Sequence, residues 1–555
     1  MKKKTYLLPL FIGLLLVSAG LTTANGKTPN HKTDYNETTM EKEHFDYIVV
    51  GSGPAGAVIA NRLSENGKNR VLVLEAGDNN DKDTLIMSAG TNLYAHFPEF
   101  FWPGQTAAQQ GLNGTSLNIG HGRLSGGGSS INGEMYVRPT PYVLQNWMRA
   151  AGEQWSPENA TRHFRELENF NGSAAETDVH GYGGDLHIRQ NLPQTPVLVE
   201  KLVSAMEKAT GLPRVDDYND PRTPIGPFVR YQVYQKPDGN RASASACFLN
   251  YEVRERGNLT VLNRATATKV LFSEDKTAKG VEYIHNGITK QAFADKKVIV
   301  SAGIHSVQLL MLSGIGPRET LEKFDIPVVY DNKNVGQGLA SDAYCSAVFK
   351  INEADGQAAV SADPYAKWLG GAFLPDPRGP RDSQERKIQV LVANGGDGTI
   401  RFGLLNISPK SRGYSTILSA DPLKVISVDY RFLSDPDDLD LLKSMLRQYV
   451  VRIGEELHKI DPAYELVSPT KEELADEDKL TQFIQANFTN SFHDQCQLKM
   501  GRESEGAVVN PRGEVYGVKN LIVADASIIP YHMDGNTSGP AYLIGATIAE
   551  DILSK

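Results

Sequence analysis

The chain has 555 residues, of which 40% are apolar and 22% charged. That length exceeds what one compact core usually supports, so two domains are expected, and the composition excludes a mostly disordered or multi-spanning chain. Lys plus Arg total 57 against 66 Asp plus Glu, a formal net charge of -9 that argues against a nucleic-acid binder; three Cys exclude a dense disulfide framework and leave room for one bridge at most.

Lys2, Lys3 and Lys4 precede an apolar run from Leu7 to Val17 and small residues at Ala19 and Ala24. This order predicts a cleaved secretory signal peptide over residues 1–24, the run being too short to span a bilayer comfortably. The mature chain is therefore expected to be secreted or periplasmic, with no integral membrane segment. Residues 25–44 are polar and aperiodic and read as a flexible leader.

At Phe45 a β-prone run begins and continues to Val50, followed by Gly51, Gly53, Pro54, Ala55 and Gly56. Apolar residues then recur at helical spacing to Leu63, and Val71–Leu74 reads as a buried strand that ends at Glu75. Strand, glycine turn, helix, strand and terminal acid form a βαβ unit with a dinucleotide fingerprint. The glycines let the backbone approach a pyrophosphate, the helix N-terminus supplies N–H donors, and Glu75 can accept from both hydroxyls of an adenosine ribose. The fingerprint alone does not separate FAD from NAD.

Further along, residues 111–134 are rich in Gly, Ser and Asn and read as an extended loop, and Pro141 to Glu168 as largely helical. Residues 255–300 alternate as strands, residues 360–385 read as a long loop, and Asp438 to Leu457 as a helix, with Asp435-Pro436-Asp437-Asp438 as its N-cap and acidic first turn. Asn520–Asp525 is another buried strand ending in an acid. Nucleotide-type strands at both ends of the chain predict a discontinuous domain. The late strand favours FAD over NAD by analogy with flavoprotein folds, in which a second segment reaches the flavin end.

These blocks resemble the glucose–methanol–choline (GMC) oxidoreductases, FAD flavoproteins of two domains, over roughly residues 45–553. One family signature is similar to Gly122–Asn132, with Ser125 in place of an apolar residue. A second is similar to Ser301–Pro317, with Val307 where proline is usual. Ser408–Gly413 and Leu433–Asp438 match two further blocks. The resemblance implies an α/β fold, α+β overall. A Rossmann-like FAD-binding domain (residues 45–150, 225–330 and 500–555) would be interleaved with a substrate-binding domain on an antiparallel sheet (151–224 and 331–499).

It also implies contacts to FAD. Pro54, Ala55, Glu75 and Ala76 would hold the ADP half, and Ala267 the adenine. Leu124, Gly128, Asn132, Gly133, Glu134 and Met135 would lie along the flavin and pyrophosphate. Asp525, Ala526 and Thr537 would complete the site. Some family members link flavin through a His at the position of Ile131; isoleucine cannot form that bond, so non-covalent FAD is expected. The catalytic pair implied is His493 and Asn536, with Cys496 and Gln497 where the family block has Gly and Thr. His493 would take the hydroxyl proton, Asn536 would hydrogen-bond the developing oxyanion, and flavin N5 would accept the hydride.

The function implied is oxidation of a small-molecule alcohol to a carbonyl, with oxygen, a quinone or a separate cytochrome as the electron acceptor. The altered Cys496–Gln497 pair keeps open a hydroxynitrile lyase of the same fold, which would cleave a cyanohydrin without net redox. A flavin-loaded binding protein is a third class, disfavoured by the presence of both His493 and Asn536. His121 reads as packing against the flavin. The Cys spacing fits no metal site, so no metal is expected.

Overall fold

The computed structural model describes residues 43–554 except 80, 83–86, 88–97, 174–177, 364–365, 381–382, 384 and 397. The segments read as signal peptide and most of the leader lie outside these residues. In chain order, the elements that build the site begin with β1 (Glu43–Val50), α1 (Pro54–Glu65), β2 (Val71–Leu74) and β3 (Gly226–Phe228). They continue with β4 (Leu259–Leu262), β5 (Ala265–Phe272), β6 (Ala278–His285), β7 (Ile288–Val300) and α2 (His305–Leu312). Next come β8 (Ala343–Lys350), β9 (Gly371–Leu374), β10 (Ile388–Asn394), β11 (Thr399–Asn406), α3 (Pro436–Ser444) and α4 (Val451–Ile460). Last are β12 (Glu465–Ser468), β13 (Leu521–Val523) and α5 (Ser538–Leu553).

The first sheet has the order β4-β2-β1-β7-β6-β5, with β13 also paired to β7. β4, β2, β1, β7 and β13 run parallel, whereas β6 and β5 extend β7 as an antiparallel meander. β1 and β2 are Val/Ile/Leu-rich and buried on both faces, as a covered parallel sheet requires. Pro54 at the first helical position starts α1 at no hydrogen-bonding cost. α1 packs on α5, which is apolar nearly all round and buried along most of its length. Contact is close enough that a Cβ at Gly545 would stand 2.7 Å from the Ala55 carbonyl oxygen.

The second sheet has the order β12-β8-β11-β10-β9-β3 and is antiparallel throughout. Fold class and the two-sheet plan thus follow the sequence reading, and the described chain packs as one unit. Three local readings are corrected. β1 begins at Glu43, two residues inside the presumed leader. β3 pairs Gly226–Phe228 with Phe373–Gly371, so a domain boundary at 225 assigns a strand of the antiparallel sheet to the wrong domain. The segment 360–385 is not one loop, because it contains the end of a helix over Glu353–Ala362 and the whole of β9.

The helix expected over 438–457 runs from α3 to α4 through a π-helical turn at Met445–Val450, with Asp435 accepting from the Asp437 N–H as its cap. All three cysteines are free and buried. Burial pushes the Cys247 thiol up to about 11 and those of Cys345 and Cys496 up to about 12. The native protein is therefore expected to show no fast reaction with a thiol reagent near neutral pH, and three reactive thiols after unfolding. A rapid burst from the folded protein would contradict this burial.

Candidate active site

The parallel strands of the first sheet end together, and their ends form one wall of a cavity of about 600 Å³ that reaches the loop carrying His493. At the turn after β1, Gly51 has φ +95°, and a Cβ there would stand 2.5 Å from the Ser301 carbonyl oxygen. Gly53 and Gly128 are the opposite case: both line the cavity, and nothing lies within 4 Å of where their Cβ atoms would be. Bare backbone thus faces the cavity beside the N-terminus of α1, as close approach of a pyrophosphate requires.

Glu75 is buried at the end of β2. It accepts hydrogen bonds from Ser52 N (3.0 Å), Ser52 Oγ (2.6 Å) and Gly77 N (2.8 Å), so it straps the glycine turn as well as lining the cavity. Burial raises its pKa despite these bonds. Asp525, at the end of β13, accepts from Ser306 Oγ (2.6 Å), Gly303 N (3.0 Å) and Ser527 N (2.9 Å), and burial raises its pKa likewise.

Gly51, Pro54, Ala55, Ala76, Ala267, Ala526 and Thr537 line the cavity, as do Asn132, Gly133, Glu134 and Met135. Gly56 and Leu124 are not among the residues that line it. Gly56 packs so closely that a Cβ would fall 2.1 Å from the Gly51 carbonyl oxygen, and Leu124 is buried with Phe100, Phe101 and Ile131. The open glycine backbone, the helix N-terminus and the two strand-end acids fit an FAD.

His493 and Asn536 meet at the other end. Asn536 Nδ2 donates to His493 Nε2 at 2.9 Å, and Gln389 Nε2 donates to Asn536 Oδ1 at 3.1 Å, which fixes the amide with its NH2 toward the imidazole. His493 Nδ1 donates to Asp342 Oδ2 at 2.6 Å. This set of bonds leaves Nε2 as the unprotonated nitrogen on the cavity side. Asp342 is fully buried, with His532 Nε2 3.2 Å from its second oxygen. Burial opposes its ionisation, but the charges and hydrogen bonds of His493 and His532 outweigh that and hold its pKa below the ordinary carboxylate value.

Asp342, Gln389 and His532 escaped the sequence reading. Asp342 lies 151 positions from His493 and in no local motif. Cys496 and Gln497 are buried but do not line the cavity, so their difference from the family pattern does not alter its wall. Cys496 has φ 76°, a conformation that favours glycine. His121 does line the cavity, and its Nε2 pairs with Asp494. Among the described residues no group of three or more His, Cys, Asp or Glu is placed to hold a metal, and no helix is long and apolar enough to cross a membrane.

Models of the N- and C-terminal parts of the GMC oxidoreductases match residues 45–343 and 409–545. An alcohol dehydrogenase (acceptor) of Pseudomonas putida is 32% identical, with 92% of this chain and 96% of the relative covered. An oxygen-dependent choline dehydrogenase of Vibrio vulnificus is 29% identical, with 93% and 95% covered. The crystal structure of pyridoxine 4-oxidase from Mesorbium loti superposes with a TM-score of 0.82 at 24% identity, covering 92% of this chain and 99% of that one. The chain belongs to the GMC oxidoreductase family. It is an FAD-dependent oxidoreductase acting on CH–OH groups. The lyase alternative finds no support among these relatives.

The Asp342 pairing has a measurable consequence. Its folded pKa lies below its unfolded one, so the stabilisation is present above the unfolded value of about 4 and is lost as pH falls through the folded value. Asp342→Asn is expected to lower the melting temperature at neutral pH, with the gap to the parent closing in acid. A gap that stays constant with pH would mean that Asp342 is not ionised in the fold.

Proposed function

We propose that this protein oxidises a small alcohol to its carbonyl, with His493 as the base. The observation that carries the proposal is the hydrogen-bonded chain Asp342–His493–Asn536, in which His493 Nδ1 donates to a buried carboxylate and Nε2 is left on the cavity side. FAD, when bound, supplies the acceptor for the hydride. His493 Nε2 takes the hydroxyl proton, and the imidazolium that results is held by Asp342. Asn536, oriented by Gln389, offers an N–H to the oxygen as its negative charge develops. Met135, Leu391, Leu405 and Phe492 line this region and limit water around the proton transfer.

The FAD contacts proposed are those of the cavity wall from Gly51 to Ala55 and at Glu75, Ala76, Ala267, Asp525 and Ala526. Ile131, buried beside the cavity, offers no side chain for covalent linkage. Denaturation should therefore release the flavin; flavin left on the precipitated chain would show a link through another residue.

His493→Ala should keep FAD but reduce it with alcohol on the order of a hundredfold more slowly or worse. Asn536→Ala should cost less, because water can partly replace a neutral donor. Anaerobic stopped-flow absorbance isolates this step from reoxidation. A His493→Ala protein that reduces its flavin at the parental rate would remove this residue from the chemistry.

A further inference from the structure

Lys367 is the one lysine or arginine among the described residues that line the cavity. Its backbone is held firmly. Ala366 N donates to Asp363 O at 3.0 Å, and Leu369 N donates to Val392 O at 2.8 Å. Next to it, Trp368 Nε1 donates to Gly133 O at 3.0 Å, in the same region of the wall as Met135. The Lys367 ammonium lies 5.3 Å from the centre of the Trp368 ring.

No described carboxylate pairs with it. Glu134, the acid that acts on its charge, is already engaged. One carboxylate oxygen is 2.9 Å from Arg241 Nη2, and the other accepts from Gln235 Nε2 at 2.7 Å. Asp494 pairs with His121, and Asp342 with His493. Glu75 and Asp525 are bonded into the turn at the dinucleotide end. Every other charge near the reaction end therefore has its counterpart inside the protein, whereas Lys367 has a ring face and open cavity.

We propose that Lys367 is a specificity residue that receives a carboxylate of the substrate, so that the alcohol oxidised is a hydroxy acid. The inference rests on the oxidation proposed above and adds the substrate class. Burial lowers the pKa of Lys367 and the charge of Arg241 lowers it further, and an anion in the cavity would oppose both effects. One unpaired cation balances one negative charge, which fits a carboxylate better than a phosphate monoester carrying about -1.5 to -2. A quaternary ammonium alcohol would meet repulsion from Lys367.

Titration of the holoenzyme with benzoate, benzyl alcohol and benzyltrimethylammonium, read from flavin absorbance and from inhibition of turnover, tests the proposal. Benzoate should bind roughly tenfold or more tightly than benzyl alcohol, and the cation most weakly. Lys367→Met should erase the preference for benzoate and Lys367→Arg should keep it. In turnover, 4-(hydroxymethyl)benzoate should exceed 4-methylbenzyl alcohol in kcat/KM, mainly through KM. Benzoate binding no tighter than benzyl alcohol in the parent overturns the proposal even if Lys367→Met does not fold. A preference that survives Lys367→Met overturns it too, and loss of flavin in that variant with the preference intact would assign Lys367 to the cofactor. If no alcohol reduces the flavin, the oxidation fails as a reading, while the benzoate series still decides the role of Lys367.

Discussion

The parallel register of the first sheet is the constraint on which the site depends. Val50 stands beside Leu74 and Val300, and Val300 beside Val523. The ladder continues one step past each pair: Gly51 N donates to Leu74 O (2.8 Å), Ser301 N to Val50 O (2.7 Å) and Ala524 N to Val300 O (2.8 Å). The glycine turn, Glu75, the Ser301 turn and Asp525 therefore emerge at one edge. Crevices at the carboxyl ends of parallel strands are where such sheets bind ligands. A slip of one residue in β1 would turn its side chains to the opposite face and move Gly51 off Ser301, where there is no room for a Cβ.

The reaction end depends on the second sheet in the same way. Asp342 immediately precedes β8, whose first residues Ala343 and Tyr344 pair with Asn490 and Thr489. That pairing brings His493 beside Asp342, and Ser341 fastens it: Oγ donates to Asn490 Oδ1 at 2.8 Å and accepts from His493 N at 3.1 Å. Asn536 comes from the turn that opens α5, and Gln389 from the middle of β10. His493 and Asn536 are thus positioned by four separate segments of the chain.

This difference explains what could be read in advance. The glycine turn and Glu75 are a local pattern within one βαβ unit, so residue types and spacing suffice. His493 and Asn536 are not distinctive by themselves, and only the family resemblance singles them out. Asp342 stands out only because the fold sets it against His493, and Lys367 only because it lines the cavity; neither sits in a motif. β9 is four residues long and set among Pro, Gly and Asp, so its strand character comes from pairing with β10 and β3 rather than from its own sequence. Leu124 lies inside a recognised motif, and its side chain packs with Phe100, Phe101 and Ile131 behind the wall.

Charge placement ties the two ends together. Asp342 has an imidazole at each oxygen, His493 Nδ1 at 2.6 Å and His532 Nε2 at 3.2 Å; His532 is held in turn by its Nδ1, 2.6 Å from the Met533 carbonyl oxygen, and by Gln495 Nε2, 3.4 Å from its Nε2. A carboxylate held ionised in this way, away from water, attracts positive charge at His493 more strongly than an exposed one could. In the proposed reaction, the proton taken from the alcohol would stay on His493 as half of an internal ion pair. The hydroxyl proton would thus pass toward the antiparallel sheet through His493, while the dinucleotide wall would hold the group that accepts the hydride. The interface between the two sheets would then give both a destination.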